Sequence, residues 1–334
     1  TYTVPIEAAR GEIVDRNGNS LVSNRQGNSI VLDAAYFPAR SDNDARNKII
    51  TNLINLFDKN GEEYVNNLPL QLNGDSIEFT DDEKAVKTMK SKDMFNLQSY
   101  ATAQNCFDAM VEEYGLEKYD KAQALKIGGI RYELTRLLFS IENPITIADD
   151  VSDATVAAIK ENKVDYAGAD VKAVSYREYA DSTLAPHILG TIRKINAEEY
   201  AELKDSGYSI TDSIGESGIE SAMESELRGT PGELTITIDA DGNISEEVTK
   251  NPIQGNTIVL TIDKDLQRLA QQKLEETCNE VSIRDSAGAV VVENVTNGEI
   301  LAAATYPTYD LMDYYSDYSS LAKNSRRPLF NRFA

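Results

Sequence analysis

Residues 10–22 read Arg10-Gly11-Glu12-Ile13-Val14-Asp15-Arg16-Asn17-Gly18-Asn19-Ser20-Leu21-Val22. Two short apolar runs flank Asn17-Gly18, a pair that tolerates the positive φ of a type I′ turn, so the spacing predicts a β-hairpin. Gly27 to Tyr36 predicts a further strand. The period then changes. Ile49, Ile50, Leu53, Ile54 and Phe57 recur at i, i+3 and i+4, which predicts an amphipathic helix over Asp44 to Phe57.

From Asp81 to Asn162 the pattern is helical, with Phe107, Met110, Val111 and Tyr114 on one face and Leu134, Leu137 and Leu138 on another. This block predicts an inserted helical lobe. Strand character returns at Val171-Lys172-Ala173-Val174, and two capping boxes follow, Asn196 to Glu199 and Ser217 to Glu220. The second is expected to open a helix bearing Ile219, Met223 and Leu227. One hairpin is expected from Thr235 to Val248 around Asp241-Gly242, and another from Gly288 to Thr305 around Asn297-Gly298. Between them lie a strand, Thr257 to Ile262, and a helix with Leu266, Ala270, Leu274 and Cys278 on one face. The strands of the last hairpin are apolar on nearly every residue, which predicts cover on both faces. The fold class is α+β.

The net charge is -22, and no basic stripe is available to neutralise phosphates, which excludes a nucleic-acid binder. The same balance argues against docking by charge on an anionic membrane surface. Apolar content of 41% and charged content of 26% are those of an ordinary folded protein. Cys106 and Cys278 belong to no Cys/His cluster, and His187 has no second histidine with which to share a metal, so neither a metal nor a cofactor is expected.

Asp58 to Gly61 and Asp239 to Asn243 resemble calcium loops, but their glycine comes at position 4 where the EF-hand needs it at 6. They are expected to be turns. The paired acids Asp81-Asp82 and Asp149-Asp150 are expected to be helix starts or solvated faces. Ser320-Leu321-Ala322-Lys323 matches S-x-x-K, in which a helix places a lysine amine one turn from a nucleophilic serine. Ser41-Asp42-Asn43 matches the companion S-D-N, but it precedes Ser320, and no K-T-G or K-S-G occurs in the 334 residues. An intact serine enzyme using Ser320 and Lys323 is therefore the weaker reading. An unrelated extracellular binding module is the other alternative.

Several stretches taken in order resemble the class B penicillin-binding proteins, the serine D,D-transpeptidases of peptidoglycan cross-linking. Arg10, Gly11, Asp15, Arg16 and Gly18 match RGxIxDRNG. Arg177 and Tyr179, then His187 and Gly190, match R-x-Y-P…A-x-H-x-(L/I)-G, with Ala180 where the family has proline. Gly215, Gly218, Glu220, Gly229 and Gly232 match GxxGxE…LxGxxG. Leu260 to Asp263, Leu266-Gln267, Gly288 to Val292, Gly298 to Ala302, Pro307 and Arg327 to Arg332, including Asn331 and Arg332, are similar to the start of the transpeptidase domain.

The resemblance implies an elongated pedestal in two parts, 1–80 and 163–256, with a helical head lobe at 81–162 and the beginning of the transpeptidase domain at 257–334. In the family the true S-x-x-K follows shortly after the Asn-Arg, so Ala334 is expected to stop short of the nucleophile, and no residue here is expected to be catalytic. The implied role is a dimerisation and interaction region, serving cell shape or cell division. Its implied partners are a glycan polymerase and an elongation or division scaffold; β-lactam and the peptidoglycan stem peptide would bind only the full-length protein. The helical insert, with Ile130 to Leu134, leans toward the elongation type. The implied location is the extracytoplasmic face of the bacterial membrane, held by an N-terminal helix absent from this chain.

Overall fold

The Asn17-Gly18 turn forms with Gly18 at φ +82°, and strand Ile13–Val14 pairs antiparallel with the strand after it, Ile13 opposite Val22 and Val14 opposite Ser20. The computed structural model describes residues 1–141, 143–208, 212–238, 244–281 and 286–334. The second hairpin strand is longer than expected. Ser20–Leu32 is one continuous strand, where the pattern suggested two. The chain divides into two compact units, Gln26–Val174 and the pair of segments Thr1–Arg25 with Ser175–Ala334.

In the Gln26–Val174 unit, helix Asn43–Asn60 buries the predicted face: Ile49, Ile50, Leu53, Ile54 and Phe57. Asp42 caps it, accepting the Ala45 amide at 3.0 Å, and Gly61 ends it in the left-handed conformation. Asp58 to Gly61 is therefore a helix end rather than an ion loop. Helices Ala103–Tyr114 and Lys121–Arg136 share one apolar core with it, along with strand Ile145–Ala148, which pairs with Ile30, Val31 and Leu32. Asp82 caps helix Glu83–Lys90 and Ser152 caps Asp153–Glu161, so Asp81-Asp82 is indeed a helix start. The unit is wider than the expected lobe at 81–162, because that core also takes in Phe37, the helix at 43–60 and the hairpin of Leu70–Asn73 with Ser76–Phe79.

The other unit has a smaller core of Ile13, Leu21, Val22, Leu184, Leu189, Leu227 and Leu311. Strand Ile258–Val259 lies parallel to Ile13–Val14, and only these two residues of the expected 257–262 strand are extended in a ladder. Tyr2–Ile6, Gly232–Ile238 and Ile244–Lys250 form an antiparallel sheet; the tip at Asp239 to Asn243 lies outside the described residues. The 257–334 segment falls within the same unit as Thr1–Arg25, not in one of its own.

Helix Lys264–Glu280 packs on the hairpin of Gly288–Asn294 with Glu299–Tyr306. Gln267, fully buried, holds the contact by its amide. Its Nε2 donates to the Ala303 carbonyl and its Oε1 accepts the Ala303 amide, both at 2.8 Å. The expected cover on both faces is found along Ala302 to Thr305 of the second strand, all buried in succession, but not on its partner strand. Burial alternates along Gly288–Asn294, leaving Val291 48% exposed, because the helix covers one face of the pleat only.

Candidate functional site

Sequence motifs that lie far apart converge on one buried carboxylate. Glu220, on the short helix Gly218–Ala222, has no exposed surface. Arg10 Nε donates to its Oε2 at 2.5 Å, and Arg177 Nε donates to its Oε1 at 2.8 Å. Arg10 Nη2 also reaches the Glu220 carbonyl and Glu224 Oε2, each at 2.7 Å. Arg177 Nη1 donates to the Gly11 carbonyl at 2.6 Å and to Asn24 Oδ1 at 3.2 Å, while Asn24 Nδ2 donates to the Arg10 carbonyl at 2.7 Å. Glu224 accepts further bonds from the Gly215 amide at 2.9 Å and the Tyr208 hydroxyl at 3.0 Å. Two guanidinium groups thus face two carboxylates, and the cluster carries no net charge.

The electrostatics follow. Burial works against the Arg10 charge, but hydrogen bonding to Glu224 and the Glu220 and Glu224 charges hold its pKa above the ordinary value. Arg177 is pulled below it by burial, partly offset by Glu220. Burial and the nearby Glu220 charge push Tyr179 up to about 12. A charge group this dry is held by its partners, since each charge left alone would face the full desolvation cost.

Glycines let the segments meet. A Cβ on Gly11 would lie 1.9 Å from the Asn256 carbonyl oxygen, in the place where Gly11 N donates to Leu227 O at 2.7 Å. Gly190 and Gly218 press against each other in the same way. Gly229 abuts Ala8 and Ile253, and Gly232 abuts Lys250 and Pro252.

The expected capping box at Ser217 does not form, and this corrects the sequence reading. The Glu220 carboxylate is drawn to the arginines, and Ser217 Oγ accepts from the Thr191 amide at 3.1 Å. The helix it was to open is broken at Met223 into Gly218–Ala222 and Glu224–Leu227. Glu224 was missed; its position four residues after Glu220 was the available signal, because i and i+4 share a helix face.

The other motif residues do not join the cluster. Asp15 is fully buried rather than sitting on an exposed turn, and among the described residues it makes no ion pair. Its Oδ1 accepts the Asn17 and Asn19 amides at 2.8 Å each, and its Oδ2 accepts Asn19 Nδ2 at 3.0 Å and the Lys264 amide at 3.1 Å. Arg16 pairs with Glu299 at 3.3 Å, and its amide bonds Ile262 O at 2.9 Å. The hairpin turn is thereby fastened to the start of helix Lys264–Glu280.

Burial raises the Asp15 pKa, but the bonds from Asn19, Lys264 and Asn17 outweigh it and bring the value from the ordinary 3.8 to about 2. The folded pKa lies below the unfolded one, so Asp15 stabilises the fold above about pH 4 and loses that contribution as pH falls toward 2. Urea midpoints taken from pH 7 to pH 2 should show Asp15→Asn well below the parent at neutral pH, with the gap closing between pH 4 and 2. A gap that stays constant with pH would rule this out.

His187 is buried in part. Its Nε2 lies 2.8 Å from the Pro328 carbonyl oxygen and its ring meets Tyr309 edge to face at 4.9 Å. Burial lowers its pKa, and because a carbonyl oxygen only accepts, Nε2 is the donor in this bond. Arg332 donates to the carbonyls of Arg326, Arg327 and Phe330 at 2.6, 3.1 and 3.0 Å, and Asn331 Oδ1 accepts the Phe333 amide at 3.1 Å. These residues order the last turns of the chain.

Ser320 and Lys323 are both exposed on helix Tyr314–Lys323, and no hydrogen bond joins them. The S-D-N triplet opens helix Asn43–Asn60, with Asp42 as its cap and Asn43 Oδ1 accepting from Arg131 at 2.8 Å. Among the described residues no three His, Cys, Asp or Glu side chains are grouped to hold a metal ion. The cavity beside the charge cluster, lined in part by Arg10, Asn24, Ser175 and Arg177, measures about 120 Å³. That is below the roughly 300 Å³ at which small-molecule pockets begin.

A family model of the penicillin-binding protein dimerisation domain matches residues 5–260. The peptidoglycan D,D-transpeptidase MrdA of Acinetobacter baumannii is 30% identical over 194 residues, covering 56% of this chain and 28% of that protein. Penicillin-binding protein 2B of Streptococcus pneumoniae matches with a TM-score of 0.59 at 22% identity, over 91% of this chain and 49% of that one. The penicillin-binding protein PBP2 solved in complex with MreC from Helicobacter pylori also gives 0.59, at 20% identity, over 100% of this chain and 49% of that one. At those identities the two structures speak for the fold. The chain spans under a third of the curated relative and about half of the solved ones. The family match runs through Arg10, Arg177 and Glu220, the residues that make the buried cluster, and this chain belongs to the penicillin-binding protein dimerisation-domain family.

Proposed function

We propose that residues 1–334 serve as the non-catalytic pedestal and interaction region of a class B penicillin-binding protein acting in peptidoglycan cross-linking at the extracytoplasmic face of the bacterial membrane. The observation that carries this reading is the buried cluster of Arg10, Arg177, Glu220 and Glu224. All four are engaged by one another, by backbone or by Asn24 and Tyr208, so the group ties segments together and offers no free acid, base or nucleophile. The MrdA relative bears the name of a D,D-transpeptidase, and that reaction is proposed for the whole protein, not for these residues. The solved PBP2–MreC complex supports a scaffold partner for the family member proposed here, of the elongation type.

Acylation separates this reading from the rival one. Incubation of residues 1–334 with a labelled penicillin, followed by intact mass, is expected to show no covalent adduct, with Ser320→Ala indistinguishable from the parent. Ser320 lies exposed, with no hydrogen bond to Lys323, so nothing there activates it. An adduct that disappears in Ser320→Ala would overturn the proposal.

A further inference from the structure

Helix Asn43–Asn60 carries an arginine that the fold leaves without an acceptor. Arg46 is only 6% exposed, yet among the described residues its guanidinium makes no hydrogen bond and no ion pair. Its Nε is fully buried and unpartnered, and the terminal nitrogens keep what contact with solvent remains. The group is held by its flat face, with Cζ 5.0 Å from the centroid of the Phe37 ring.

A second buried arginine, Arg131 of helix Lys121–Arg136, packs against the same helix face. Asn43, Arg46 and Asn47 fall at i, i+3 and i+4, and Arg131, 4% exposed, donates to Asn47 Oδ1 at 2.7 Å and Asn43 Oδ1 at 2.8 Å. Both acceptors are neutral amides. Arg131 also lies 4.8 Å over the Tyr114 ring. Its pKa is brought down to about 10, first by burial and then by the Arg46 charge, and Arg46 is lowered by burial and by Arg40.

The acidic groups in reach are already engaged. Glu113 pairs with Arg40 at 3.9 Å, both well exposed; Asp42 caps the helix; Asp44 is bonded by Lys118 at 2.5 Å. Arg46 thus lies within the field of two further guanidinium groups, Arg40 and Arg131, while these exposed carboxylates are taken by other partners, in a chain of net charge -22. Hiding a guanidinium from water without an acceptor is unfavourable, and an incoming group with two or three charged oxygens would relieve it.

We propose that Arg46, backed by Arg131 and flanked by Arg40, is a receptor for a small oxyanion, the carboxylate or phosphate group of a ligand, bound through the terminal nitrogens of Arg46. The chemistry is bidentate pairing of a guanidinium with two oxygens, for which arginine is suited and lysine is not.

The test compares thermal unfolding of the full chain at pH 7 in sodium phosphate, sodium acetate and sodium chloride at matched ionic strength. At least one oxyanion is expected to raise the midpoint above chloride, and the better of the two identifies the class of group recognised. Arg46→Gln removes an unpaired buried charge and should fold; in it the excess over chloride is expected to vanish. This comparison also subtracts the general salting effect of phosphate. By calorimetry, affinity for the better anion should fall at least about tenfold in Arg46→Gln, the worth of one charged hydrogen bond. The exposed Arg40→Gln should weaken it by a smaller factor. Absence of any excess in the parent, or an equal excess in Arg46→Gln, overturns the proposal.

Discussion

Glu220→Ala is expected to destabilise the unit formed by Thr1–Arg25 and Ser175–Ala334 by about 3–5 kcal/mol, the range for stripping one partner from a buried ion pair. The change leaves Arg10, 11% exposed in its side chain, and Arg177, 4% exposed, facing each other with only Glu224, backbone carbonyls and Asn24 as acceptors. Neither arginine escapes by losing its proton. The two must stay charged and dry or else move to water, which would pull Gly11 off the Leu227 carbonyl. Because the chain has two units, an unfolding midpoint alone does not say which of them has lost stability. Hydrogen exchange followed by mass spectrometry should instead show accelerated exchange in segments 10–24 and 175–227, with helix Asn43–Asn60 unchanged. Replacing Arg10 and Arg177 by methionine together with Glu220→Leu and Glu224→Gln should recover much of the loss, since no charge of the cluster is then left unpaired. Unaltered exchange in Glu220→Ala would refute the assignment of this cluster as the tie.

The parts of the structure that were legible in the sequence are those whose signals are local. Asn17-Gly18, the Ile49 to Phe57 periodicity, the Asn196 to Glu199 capping box and Ser152 before its helix all act within a few residues, and all form. The failures have the opposite character. Ser217 to Glu220 has the composition of a capping box, but Glu220 has stronger partners 210 residues away at Arg10, and a charged donor outcompetes a backbone amide. Asp15 flanks a turn, and nothing near it in sequence marks it as buried; Lys264, 249 residues on, brings an amide to it. Gln267 lies on the face opposite to nothing in particular by periodicity, yet its amide completes the backbone pairing of Ala303. The family resemblance singled out Arg10, Arg177, Gly11, Gly190 and Gly218 by motif alone. What it did not supply was their reason, which lies in carbonyl oxygens from distant segments that no spacing rule reveals.

Gly190→Ala should cost about 2–6 kcal/mol, the sum of about 1–3 for forcing a methyl into a filled space and about 1–3 for a backbone region that only glycine occupies freely. Gly190 stands at φ 84° and ψ -176°, and a Cβ there would lie 1.9 Å from the Ser217 carbonyl oxygen. That atom belongs to backbone and cannot swing aside as a long side chain would. Gly18 provides the internal comparison: its φ of +82° is nearly the same, but nothing lies within 4 Å of its Cβ direction. Gly18→Ala therefore carries the conformational cost alone, about 1–2 kcal/mol. The excess of Gly190→Ala over Gly18→Ala reflects the close approach together with the extended ψ of -176° at Gly190. The consequence extends to the charge cluster. Ser217 precedes the helix that holds Glu220, and Gly218 packs back on Ile188 and Gly190, so relief of the clash must shift the residues that present the carboxylate. Gly190→Ala is accordingly expected to speed exchange in segment 10–24 as Glu220→Ala does, whereas Gly18→Ala should leave residues 215–227 untouched. Equal costs for the two alanine variants would show that the backbone at Ser217 yields, and that the glycine at 190 is there for its φ alone.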